Sequence, residues 1–389
     1  MTDDEGAAST TKETSQEEPK KRGLADIMSE IFLPMLPALI GAGILQGMVS
    51  LFVAFGWLTE GQPLHTLLST ASSAIFYFLP FLIAATSAKA FNTSPYLAMA
   101  VVAFFVYPDM VDLMAGDAEI SLFGIPIVKT TYTSSVIPII LIIWGMSYVH
   151  RFAQRVTPKM LQTVLVPPIT IAFTCLVGLL VFGPIGAGLT EAISWVVNNI
   201  QDLAPWLVPL VVGMFGAILV SIGMSFALFP IALTTMNEQG WDSVYGPGML
   251  ASNMALAGMA LAVALALKAK DTDYKAFSST ASVTALLGVA QPAVYGVALA
   301  LRKPFIGVMS GGAAGGLVAG LTGFQVYGLS PAGLAAIPVY VGDEGFGNLF
   351  LGFAVMVTAF AVAFVVTWLL GFEDLSREQV EEVVGENAT

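Results

Sequence analysis

The chain has 389 residues, of which 56% are hydrophobic and only 11% charged, against about 25% charged in an average soluble domain. Uncharged runs repeatedly exceed the roughly 20 residues a helix needs to cross a bilayer, and 38 glycines and 21 prolines accompany them, a composition that excludes a soluble protein and suits a polytopic transporter better than a receptor with one span. The net charge of −12 sits largely in the tails, with seven acids against four bases in residues 1–26 and six acids against Arg377 in residues 372–389, so no nucleic-acid or acidic-partner reading follows from it.

Residues 1–22 are polar and end in Lys20-Lys21-Arg22. Residues 1–26 read as a disordered cytoplasmic tail closed by a juxtamembrane basic cluster, which places the amino terminus in the cytoplasm; a cleaved signal peptide does not fit so long a charged region. Spans are expected at 31–56, 74–91, 95–115, 132–150, 161–184, 206–236, 248–268, 304–322 and 348–371, with broken segments near 278–301 and 330–341. His150, Arg151, Arg155 and Lys159 mark a cytoplasmic loop after the fourth span. The stretch from Glu191 to Gln201 reads as an interfacial helix or as the end of a long tilted span. Lys268, Lys270 and Lys275 conflict with simple counting of spans, and a partial crossing between 236 and 301 would resolve the conflict. Residues 373–389 read as an acidic cytoplasmic tail.

The most informative stretch is Gly288 to Val297, Gly-Val-Ala-Gln-Pro-Ala-Val-Tyr-Gly-Val. It sets an amide, a proline and two glycines inside an apolar, membrane-length run. Backbone groups that lose helical partners in hydrocarbon cost several kcal/mol each, by rough estimate, unless protein or a water-filled cavity satisfies them. Such a break therefore points to a lined cavity.

The residues resemble a known family, the membrane-embedded IIC component of the sugar phosphotransferase system, in its glucose, glucoside and disaccharide superfamily. The likeness runs along nearly all of 27–372. It includes Ile31-Phe32-Leu33-Pro34 through Gly43, Phe76-Tyr77-Phe78-Leu79-Pro80 with Ala88-Lys89, Pro95-Tyr96-Leu97-Ala98 leading to Tyr107-Pro108-Asp109, and Tyr132-Thr133-Ser134-Ser135-Val136-Ile137-Pro138. The resemblance implies an all-α polytopic membrane protein of about ten transmembrane helices plus two re-entrant hairpins. It implies amino-terminal helices (27–202) that hold a homodimer and a carboxy-terminal half (203–372) that binds sugar and shifts across the membrane as a rigid unit. In that family a IIB module phosphorylates the incoming sugar from a phosphocysteine. The one cysteine here, Cys175, lies in an apolar run and reads as a small buried hydrophobe, so a separate IIB protein is expected as the phosphate donor.

Two departures fall on the site that the resemblance implies. The family usually has Thr-Glu-Pro where this chain has Ala290-Gln291-Pro292, the glutamate being the sugar-binding residue thought to assist hydroxyl activation. It usually has Gly-Met-His-His or Gly-Leu-His-His where this chain has Gly223-Met224-Ser225-Phe226. Gln291 keeps an acceptor and two donors for sugar hydroxyls but cannot take a proton near neutral pH; alternatively it serves only the backbone freed by Pro292. Ser225 could donate to a sugar or bond back to its own helix. Phe226 could stack on a pyranose or simply pack. Tyr295 lies one turn beyond Gln291 and shares its face if that segment is helical. Asn253, with Ser252, is either a ligand contact or glue between helices. Asp343 and Glu344 fit a solvated loop better than a site. The run Gly311 to Gly316 lacks the lysine and the strand of a phosphate loop and reads as close helix packing. His65 and His150 are far apart, and neither a metal nor a cofactor is expected.

Overall fold

The computed structural model describes residues 23–116, 120–122, 125–133, 135–222, 224, 228–267, 272–342 and 345–372. The two tails, Ser225, Phe226, Asp343 and Glu344 lie outside the described residues. The architecture is all-α and polytopic. Among the described residues six helices are long and apolar enough to cross a bilayer, or seven if one bent pair counts as a single span.

Proline placement explains most of the interruptions. Leu24–Phe32 passes through a 3₁₀ turn, Leu33–Met35, into Leu36–Ala54, where Pro34 and Pro37 each remove a backbone donor. Pro63–Tyr77 and Leu79–Ala90 join at Phe78 just before Pro80. Pro95–Val106 and Pro108–Ala115 meet at 47°. The cause is Tyr107, held extended at φ −63° and ψ 136° because the ring of Pro108 disfavours a helical residue before it.

One expected span runs on into the segment read as its tilted end, and another is divided. The helical run Lys159–Ile200 is continuous over 42 residues, so Glu191, Ser194 and Asn198 belong to the end of one long helix rather than to a separate interfacial one. At 1.5 Å per residue it measures about 63 Å, twice the hydrocarbon thickness, and must tilt or project. The 206–236 region, conversely, is not one helix. Leu207–Ser221 stops before Gly223, and Phe229–Gln239 begins a separate segment that ends at Gly240, φ +87°.

The packing forms two apolar cores. One gathers side chains from Ala217 through Ala363; the other gathers Ile31 through Leu179 together with Phe229, Leu233 and Leu329. At the centre of the first, Tyr245–Ala266 is almost wholly buried, packed by Leu207–Ser221, Pro304–Thr322 and Gly347–Leu370. Close approach is made possible by small residues. A Cβ on Gly315 would come within 2.6 Å of the Ala359 Cβ, and one on Gly311 within 2.5 Å of the Ala359 carbonyl. The run Gly311 to Gly316 is thus a helix-packing stripe, as its composition suggests.

Candidate functional site

The helix Thr272–Leu286 ends at a tight turn. Gly288 N–H donates to the Ala285 carbonyl (3.0 Å) and Val289 N–H to the Thr284 carbonyl (2.9 Å). Gly288 sits at φ +101°, where a side chain is strained, and a Cβ there would also meet Pro331 at 2.8 Å. The chain then reverses into a second arm, Gln291–Ala293 followed by a π-helical turn, Val294–Leu299. Pro292 falls in the first turn, where its missing N–H costs nothing. The arms are tied together by the Tyr274 hydroxyl, which donates to the Gly296 carbonyl (2.8 Å), and Ser282 anchors the first arm to the Ala257 carbonyl (2.8 Å). The interrupted helix of the sequence is therefore a helical hairpin whose tip is 287–290.

The tip of a second irregular segment, Gly328 to Ala332, meets the first, and a 3₁₀ helix, Leu334–Tyr340, follows it. Between these tips, the first helix and the 229–253 region lies a cavity of about 330 Å³. Gln291, Asn253 and Asp242 are among its polar lining, and Leu36, Ile40, Phe229 and Met249 among its apolar lining; the hairpin-tip residues 288–290 line it too.

Gln291 is exposed to this space, and its amide has no side-chain hydrogen bond among the described residues. Asn253 is 4% exposed. Its Nδ2 donates to the Ala332 carbonyl (2.8 Å) and so joins the central helix to the second tip, while its Oδ1 is buried with no partner among the described residues. An unpaired buried acceptor costs about 1–3 kcal/mol. Asn253 thus serves as glue between the central helix and the second tip and is also one of the residues lining the cavity.

Asp242 was legible only as part of a polar loop. It is 2% exposed and caps the helix Tyr245–Ala266: its carboxylate accepts from the N–H groups of Val244 (2.8 Å), Tyr245 (3.1 Å) and Gly246 (2.6 Å). Its backbone pairs in both directions with Val326. Burial pushes its carboxyl above the usual carboxylate range, against the three backbone donors that hold it down. An aspartate three residues ahead of a helix is the sequence signal for such a cap.

Tyr295 does not line the cavity. Its hydroxyl donates to the carbonyls of Val220 (3.2 Å) and Ser221 (3.4 Å), the end of Leu207–Ser221 where helical partners run out. Of the five residues singled out from sequence, Gln291 and Asn253 come together in one cavity and Tyr295 braces a helix end. Ser225 and Phe226 lie outside the described residues, although Val220 and Phe229 on either side of that break both line the cavity.

A cavity lined by amide and carboxylate side chains together with aliphatic and aromatic ones suits a solute that carries both hydroxyls and C–H groups. The family model "Phosphotransferase system, EIIC" matches residues 29–312. The chain belongs to the EIIC family. Among relatives of this EIIC chain, the PTS system beta-glucoside-specific EIIBCA component of Bacillus subtilis (strain 168) is 37% identical over 97% of the chain. The arbutin-, cellobiose-, and salicin-specific EIIBC component of Escherichia coli (strain K12) is 31% identical over 92%, and the sucrose-specific EIIBC component of Salmonella typhimurium 32% identical over 90%. The EIIC chain spans 60% of the length of the Bacillus relative and 74% and 76% of the other two.

Proposed function

We propose that this EIIC chain is a sugar permease that binds a hexose, glucoside or disaccharide at the meeting of the two tips. The carboxy-terminal half carries the sugar inward by an elevator-like shift against the amino-terminal helices, and a separate IIB phosphocarrier protein supplies phosphate. The observation that carries the reading is that Gln291, whose amide has no side-chain partner among the described residues, lines one cavity together with Asn253 and Asp242. The two apolar cores support a division into a scaffold half and a transport half, and the hairpin 272–300 supports a re-entrant segment. The amino-terminal helices are the homodimer interface in this reading, and both termini are cytoplasmic, the amino terminus as the basic cluster Lys20-Lys21-Arg22 suggests. The relatives' names make glucosides the first ligands to try.

A second reading keeps the fold and drops the chemistry: a facilitator or a sugar-sensing membrane regulator without phosphorylation. It is favoured by one observation. Among the described residues lining the cavity Asp242 is the sole carboxylate, and three backbone N–H groups already occupy it, so no free base stands where the family glutamate would.

Uptake of labelled salicin into vesicles, with and without a phosphorylated IIB protein of the glucoside type, separates the two. The permease reading expects accumulation of phosphorylated product that depends on IIB, at a rate lowered by the missing base. Equilibration of unmodified sugar that is indifferent to IIB would establish the second reading instead.

A further inference from the structure

A second, larger cavity of about 540 Å³ lies between the 127–136 loop, the helix Gly183–Leu203 and the helix Phe229–Gln239. The last of these is the partition between the two cavities. Its Phe229 and Met236 line the first, while its Thr234 and Glu238 line the second. It begins after Leu228 and ends at the left-handed Gly240.

The lining is rich in hydroxyls and in oxygen acceptors. Thr234 is 7% exposed as a residue, and its hydroxyl, which has no hydrogen-bond partner among the described residues, lines the cavity. Glu238 accepts from Ser194 (2.8 Å) through one oxygen, and the carboxylate of Glu191 has no partner among the described residues. Lys129, on the loop, donates to the Gly116 carbonyl rather than to either carboxylate. Two exposed carboxylates with spare lone pairs, an unpartnered hydroxyl and a lysine in one lining favour a neutral molecule that both donates and accepts through many hydroxyls. A bare cation would fill little of the volume and would be opposed by Lys129.

We propose that this cavity is a second binding site for a glycoside, one helix away from the first. The inference rests on the reading that the first cavity binds a glycoside, and its test separates the two. In full-length protein in lipid nanodiscs, with Cys175→Ser as background, a single reporter is placed at Ala187→Cys in the second cavity or at Ser330→Cys in the first, and maleimide labelling is timed with and without salicin. Salicin is expected to slow labelling several-fold at both positions. Protection at position 187 should survive Gln291→Ala and vanish with Thr234→Val plus Glu238→Gln; protection at position 330 should do the reverse, which also shows that the double variant folds. Labelling at position 187 that saturating salicin leaves unchanged overturns the second site, whatever happens at 330. Absence of protection at position 330 alone overturns the first site and leaves the second standing.

Discussion

Gln291→Glu is expected to raise the rate at which bound sugar is phosphorylated by about 10²–10⁴-fold, the usual contribution of a positioned general base, and to do so only when a phosphorylated IIB protein is supplied. The argument is local. Gln291 opens the second arm of the hairpin, directly after the Gly288 turn, and faces the cavity without a side-chain partner. A carboxylate at that position would meet the free N–H groups of a helix start, which favour its charged, proton-accepting form. Asp242, the other polar group of the lining with a carboxylate, is engaged as a helix cap, with three of its roughly four acceptor positions taken by Val244, Tyr245 and Gly246. Initial rates of product formation with salicin measure the gain. An unchanged rate with a competent donor would show that proton acceptance at this position does not limit the reaction.

The second large effect is structural. Gly312 and Gly213 face each other so closely that a Cβ on either would fall on the other's carbonyl oxygen. Overpacking that a side chain can relieve costs about 1–3 kcal/mol. Here the obstacle is backbone on both sides, so Gly312→Leu should reach at least the top of that range and push Leu207–Ser221 away from Pro304–Thr322. Gly316 against the Pro209 carbonyl extends the same seam one turn further. The expected outcome is a large fall in thermal stability in detergent and loss of most correctly assembled protein. Ile306→Leu, on the exposed side of the same helix at 55% exposure, should change neither. A Gly312→Leu protein with unaltered stability would mean that the seam does not hold the bundle together.

What was readable in advance follows from how local each signal is. The hairpin tip was visible because Gly288, Gln291 and Pro292 stand out within an apolar run, and all three act within a few residues of themselves. The glycine stripe from Gly311 to Gly316 was legible for the same reason. The break after Ser221 was not, since Gly223 and Met224 sit inside a run that hydropathy reads as continuous, and one glycine seldom ends a helix. The helix through Pro167 and Pro168 was expected as the span 161–184, and its reach was left between a separate interfacial helix and the end of a long tilted span; the run continues through the π turn Gly178–Phe182 to Ile200, which selects the second. Asp242 reached the cavity through pairing with Val326, a partner far along the chain for which no local pattern exists. Asn253 showed its polar character in sequence, but only the fold separates its two atoms, one spent on Ala332 and one unpaired.

The central claim, that Gln291 is a sugar contact, is tested most directly by titrating salicin into purified wild-type and Gln291→Ala protein in a calorimeter. Loss of one bound amide is expected to weaken the Gln291-dependent event by about tenfold, or about 1.4 kcal/mol. An affinity that Gln291→Ala leaves unchanged would contradict the assignment and return Gln291 to a purely structural part in the turn.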